Sequence, residues 1–196
     1  FVENIVVDSL RSLNTGNVIF LRIGERRAGR KGRMNGVTIS NVYAEVPATK
    51  PDAGYNYEGP VEDLPRNISP SSIVGMPDAL IENITLKNIE IHYPGGGNPH
   101  YAKVGLDELD KVPELAASYP EFSMFKELPA WGFYLRHARG ITMENVRLVC
   151  EKKDYRTAVV LDDVHGASFV NLQVSEPGGK KDGIFSYRST DIEIKK

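Results

Sequence analysis

Between positions 22 and 33 the chain sets Arg22, Arg26, Arg27, Arg30, Lys31 and Arg33 against a single carboxylate, Glu25. Guanidinium groups at this density suit the recognition of carboxylates, which they grip through parallel N–H donors. Arg22 is the sharpest candidate. It lies between Leu21 and Ile23 in an apolar strand-like run, so alternation turns its side chain outward while its neighbours face a core. Arg30, Lys31 and Arg33 belong to the Gly-rich turn from Ala28 to Arg33 and read as solvated. No aromatic residue is interleaved with these cations, so stacking on nucleic-acid bases is not expected.

The segments around this cluster repeat. Gly36-Val37-Thr38-Ile39-Ser40-Asn41-Val42 returns as Asn83-Ile84-Thr85-Leu86-Lys87-Asn88-Ile89, as Gly140-Ile141-Thr142-Met143-Glu144-Asn145-Val146 and as Gly166-Ala167-Ser168-Phe169-Val170-Asn171-Leu172. Asn4 to Leu10 is a fainter copy, and Thr190 to Ile194 begins another. A second strand precedes most copies, beginning at Gly132, Ala158 and Ile184 in the last three, 26 residues apart. Short β-branched strands returning at a fixed period, with Asn at a fixed place, define a stacked parallel β architecture. Asn tolerates the left-handed backbone of a sharp corner, and its amide can bond to the Asn one repeat away. Asn41, Asn88, Asn145 and Asn171 are therefore expected to form a ladder inside one edge of the stack. The chain is all-β; only Leu106–Lys111 and Glu114–Ala117 look helical, and they lie within an insertion.

Outward residues of equivalent strands should form a stripe across the repeats. It would run Phe20 and Arg22, Tyr134 and Arg136, Val160 and Asp162, then Ser186 and Arg188. Arginines, a tyrosine and a carboxylate along one groove suit a polyanionic sugar chain. Two long insertions, about 47–70 and 94–130, interrupt the repeats. Tyr55 and Tyr57 in the first, and Trp131 at the end of the second, offer stacking surfaces for sugar rings. Phe122, Met124, Phe125 and Trp131 in the second read as the residues that seat the loop. Gly95-Gly96-Gly97 lacks the following Lys and Ser/Thr of a phosphate loop. His137 and His165 end strands and read as structural hydrogen-bonders.

The 196 residues carry a formal charge of −2, which gives no overall pull toward nucleic acid or anionic membranes. Nothing in the sequence resembles a membrane-spanning segment, and no membrane insertion is expected. The single cysteine, Cys150, forbids an internal disulfide and a cysteine-based metal cluster, and reads as a small core hydrophobe. No cofactor is expected. Asn67 and Asn83 match the glycosylation pattern by coincidence. Because the first residue, Phe1, already sits at the threshold of a repeat, the chain reads as the C-terminal part of a longer protein, with the parent's N-terminal coils as its partner.

Taken together, Phe20-Leu21-Arg22-Ile23-Gly24 followed by a Gly/Arg-rich turn, the run from Tyr119 to Phe125, the run from Leu128 to His137, and Ala158 to Val164 resemble the C-terminal half of glycoside hydrolase family 28, the polygalacturonases and their pectin-degrading relatives. The resemblance implies a single-stranded right-handed parallel β-helix of the pectin-lyase-like kind. It also implies a secreted bacterial glycosidase, extracellular or periplasmic, acting on pectic or related acidic polysaccharide. Arg22 matches the Arg of that family's Arg-Ile-Lys strand, which holds a substrate carboxylate. Gly24 stands where the Lys belongs, leaving Arg26 or Arg27 as the replacement. The family's acids precede this strand and have no counterpart here. The implied chemistry is inverting hydrolysis by two carboxyl groups roughly 6.5–9.5 Å apart, with both acids upstream, so the chain alone is expected to be inactive. Two readings stand beside it: a non-catalytic carbohydrate-binding β-helix, and a polysaccharide lyase on the same scaffold, which needs calcium and a cluster of outward carboxylates.

Overall fold

A computed structural model describes residues 1–48, 69–122, 124–178 and 183–196. The protein is all-β, with nine strands in one parallel sheet: β1 (Val2–Ser12), β2 (Phe20–Arg22), β3 (Met34–Glu45), β4 (Ser71–Val74), β5 (Ile81–Gly95), β6 (Ala130–Lys152), β7 (Thr157–Ser175), β8 (Ile184–Tyr187) and β9 (Thr190–Lys195). The pairing runs β1-β3-β5-β6-β7-β9 along one series and β2-β4-β6-β7-β8 along the other. Every strand-to-strand pairing is parallel, so successive repeats stack as layers, compatible with a β-helix.

Strands as long as the 23-residue β6 stay in one ladder because they bend at left-handed residues. Three columns of such residues run through the layers. One holds His137, Asp163 and Arg188; a second holds Asn4, Gly36, Asn83, Gly140, Gly166 and Asp191; a third holds Ser9, Asn41, Asn88, Asn145 and Asn171. A left-handed φ at a residue with a Cβ costs roughly 1–2 kcal/mol, less for Asn and Asp, and nothing comparable for Gly. That cost explains why Asn and Gly dominate two of the columns.

The expected Asn ladder is present. Asn171 donates to Asn145 at 2.9 Å, Asn145 to Asn88 at 3.1 Å, and Asn88 to Asn41 at 3.0 Å. Asn41 donates to Asp8 at 2.7 Å, which gives the row a carboxylate end. Its position differs from expectation, because these side chains lie on the exposed side of the corner and not inside the stack. The left-handed residue turns its Cβ outward, and the core is filled by the residue two positions before it and the one after it, as with Ile39 and Val42.

Inward positions pair like with like across the layers: Ile39 with Leu86, Met143 and Phe169, and Val42 with Ile89 and Val146. These residues are buried in one contiguous core, each side chain contributing on the order of 1.5–3 kcal/mol. Cys150 packs in this core, where burial pushes its thiol up to about 12, with the charges of Asp154 and Glu176 adding to the shift.

The helical expectation for the second insertion gives way to two single turns of 3₁₀ helix, Pro99–Tyr101 and Leu109–Lys111. Pro113 stops propagation, and Glu108 supplies no side-chain cap to the second turn. The insertion instead lies across the outer face of the sheet. Leu109, Val112, Phe125 and Leu128 pack there on Val74, Ala130, Tyr134 and Val160, forming a second apolar cluster. Among the described residues, no helix is long and apolar enough to cross a membrane.

Candidate functional site

The outward stripe exists, in a modified register. Phe20, Ser72, Tyr134, Val160 and Phe185 form one column, and Arg22, Val74, Arg136, Asp162 and Tyr187 the other. Phe185 and Tyr187 therefore stand where the 26-residue period placed Ser186 and Arg188. The last layer is one residue shorter, since Val160 pairs with Phe185.

The stripe is not an open groove. Tyr134 and Asp162 are fully buried and Arg136 is 4% exposed, all beneath the second insertion. The Arg136 guanidinium donates to the Val112 carbonyl at 2.6 Å and lies 2.8 Å from Glu114 and 3.1 Å from Asp162. The Tyr134 hydroxyl donates to Asp162 at 3.1 Å; burial and then the Asp162 charge raise its pKa. Arg188 reaches the other Asp162 oxygen at 3.0 Å. Alternation showed correctly that these side chains leave the core, but what covers them is a segment far away in sequence.

Arg22 shares this role. Its guanidinium donates to the Gly75 carbonyl at 2.5 Å, the Val74 carbonyl at 3.3 Å and the Glu114 carbonyl, and it lies 5.5 Å from the centre of the Phe125 ring. Burial lowers its pKa, opposed by the Glu114 charge. Much of its donor capacity is thus committed to seating the insertion.

Beyond Arg22 four further cations of the cluster come together, while Arg33 turns to Glu3. A cavity of about 330 Å³ is lined by Arg22, Arg26, Arg27, Arg30 and Lys31, together with Gly24, Gly32 and insertion residues Ser118 and Pro120. No carboxylate is among these lining residues. The turn that carries the arginines is held by its own backbone: Arg30 N–H donates to the Arg27 carbonyl at 2.9 Å, and Gly32 N–H to the Gly24 carbonyl at 2.9 Å. Gly29 adopts φ +73°, and its N–H donates to the Glu25 carboxylate. Glu25 therefore stabilises the turn. Lys31 pairs with Asp78 outside the cavity lining, while Arg26 sits 5.3 Å over the Tyr119 ring of the insertion.

At Gly24 the structure leaves no room for a side chain. A Cβ there would come within 2.7 Å of the Ala116 carbonyl, and the next residue, Glu25, donates its N–H to that same oxygen at 2.8 Å. The insertion occupies the space a side chain would need.

A second polar cluster adjoins the insertion. His137 is placed between Asp163, 2.5 Å from Nδ1, and Glu114, 3.1 Å from Nε2. His165 reaches the other Asp163 oxygen at 2.9 Å and the Thr190 hydroxyl at 3.1 Å. Burial raises the Asp163 pKa, but the hydrogen bonds from both imidazoles outweigh it and leave the carboxyl below its ordinary value. Asp162 and Asp163 are thus both engaged by cations or imidazoles. Among the described residues no group of three or more His, Cys, Asp and Glu side chains is arranged to hold a metal ion.

Tyr55 and Tyr57, with most of the first insertion, lie outside the described residues. Sequence reasoning missed Glu114 and the Ser118–Pro120 segment. Neither carries a local signal, since their roles come from where the insertion lands. Compared with family models, with curated proteins and with solved structures, the chain matches none.

Proposed function

We propose that this chain is the C-terminal portion of a right-handed parallel β-helix that binds acidic polysaccharide, with a uronate carboxylate in the arginine-lined cavity. The observation that supports this reading is the cavity itself: five cationic side chains and no carboxylate among its lining residues. Of these, Arg26, Arg27 and Arg30 form no ion pair among the described residues, and guanidinium groups so placed in a recess are a site for an anion. A cavity of about 330 Å³ has room for a sugar ring bearing one.

Cleavage, in this proposal, belongs to a longer glycosidase similar to glycoside hydrolase family 28. Its two acids lie on upstream layers and hydrolyse the bond with inversion. Val2, Ile5, Val7 and Leu10 support such layers: they pair with the buried Met34, Val37, Ile39 and Val42, yet are themselves 37–41% exposed on the free side of β1. A further parallel strand can add there through main-chain hydrogen bonds. The alternative, a non-catalytic binding β-helix, is supported by the absence of a carboxylate from the cavity lining.

Reducing-end release from polygalacturonate and rhamnogalacturonan separates the two. The longer glycosidase should release ends, and its Arg26→Ala/Arg30→Ala form should do so ~10²-fold more slowly, about 2.7 kcal/mol of transition-state binding. A parent that binds these polymers without cutting either of them favours the binding module. A parent that neither binds nor cuts them removes the acidic-polysaccharide reading.

A further inference from the structure

A second recess shares no residue with the arginine-lined cavity. It runs along the Asn-ladder corner and takes equivalent positions from five successive layers, about 770 Å³ in all. At an interstrand spacing of about 4.8 Å, five layers span about 19 Å. The left-handed corner produces it: the chain bends sharply at Asn41, Asn88, Asn145 and Asn171, and these residues with those just after each bend line the trough.

The floor is chemically repetitive. Each primary amide has two N–H donors and an oxygen with two acceptor sites. In Asn88 and Asn145 the ladder uses one donor and one acceptor, so each of these two layers offers a further donor and acceptor; the Asn171 oxygen accepts from Gln173, and the first layer carries Ser9 in place of an amide. The wall adds Arg11, Tyr43, Glu90, Arg147 and Gln173, with Arg11 lying 5.6 Å over the Tyr43 ring. Two arginines against one glutamate give this trough little of the anion selectivity of the other cavity.

We propose that this trough is a binding site for a linear, neutral, hydroxyl-rich polysaccharide, lying along the stack and meeting one Asn amide in each of four successive layers. Hydroxyl groups match the amides because both donate and accept. A peptide is disfavoured, because β3, β5 and β6 beneath the middle of the trough are paired on both sides and present no free main-chain edge there for strand addition. The inference does not depend on the function proposed for the arginine-lined cavity.

The test is a titration of the isotopically labelled chain with three neutral linear hexasaccharides, cellohexaose, xylohexaose and β-1,4-linked galactohexaose, following the side-chain amide NMR signals of the ladder. At least one should shift the Asn88 and Asn145 amides in a saturable way. Asn88→Gly keeps the left-handed corner while deleting one amide, and Arg147→Glu alters the exposed wall. With folding verified by amide dispersion, either should weaken binding about tenfold. Hexagalacturonate should leave the ladder amides unmoved. The proposal is overturned if none of the three sugars shifts these signals at millimolar concentration. It is equally overturned if both folded variants bind as the parent chain does, or if hexagalacturonate displaces the neutral sugar.

Discussion

Arg136 Nη2 lies 2.8 Å from Glu114 Oε1, joining the sheet to the insertion that covers it. Arg136 belongs to β6 and Glu114 to the irregular segment before it, and the same guanidinium stands 3.1 Å from the fully buried Asp162. Removing the arginine leaves Asp162 dependent on Arg188 and Tyr134 alone. Arg136→Met is expected to cost about 3–5 kcal/mol, because a buried charge loses its partner. Glu114→Gln should cost much less, since Asp162 and the Val112 carbonyl still engage the guanidinium. Urea unfolding of the two variants checks the order.

Acid should act through Asp163. Its folded-state pKa is depressed below the ordinary 3.8 by His137 and His165, which outweigh the effect of burial. A depressed carboxyl pKa contributes stability that is fully present above the unfolded value and is lost as pH falls through the folded one. Melting temperature followed downward from neutral pH should therefore fall in the region below about pH 4. Asp163→Asn, which retains a residue suited to the left-handed φ of 60°, should be less stable at neutral pH. Its curve should converge with that of the parent chain in acid.

The Asn ladder gives a test that separates backbone from side chain. Asn88 sits at φ 54° and both donates and accepts in the row. Asn88→Gly loses the amide bonds but keeps the corner accessible, so a loss of about 1 kcal/mol is expected. Asn88→Ala also places a Cβ in the left-handed region, adding about 1 kcal/mol more. Equal destabilisation of the two would mean that the corner geometry carries no cost at this position.

Much of the stack is legible in the sequence because it is local and periodic. The Asn at a fixed place in each repeat marks the corner, and alternation around it marks which of Ile39, Leu86, Met143 and Phe169 face the core. The site was harder to read. Arg22, Tyr134, Arg136 and Asp162 do point out of the core, but an insertion folded back over three of them, and periodicity carries no information about where a long loop comes to rest. Gly24 shows the same limit: its lack of a side chain makes sense only once Ala116 is seen against it. The slip at Phe185 arose because a strand's first apolar residue is a poorer register mark than the left-handed corners. Those fall 26 residues apart at His137 and Asp163 but 25 apart at Asp163 and Arg188.

The most direct test of the central claim is calorimetric titration of hexagalacturonate into the chain and into its Arg26→Ala/Arg30→Ala form. Arg22 is left intact in both because it also seats the insertion. The account expects saturable binding that weakens with added salt, as contacts between exposed charges do. It also expects affinity about tenfold or more lower in the variant, with the fold unchanged. Equal affinity for both forms, or binding indifferent to salt, would contradict the assignment of the arginine-lined cavity as the site of the acidic sugar.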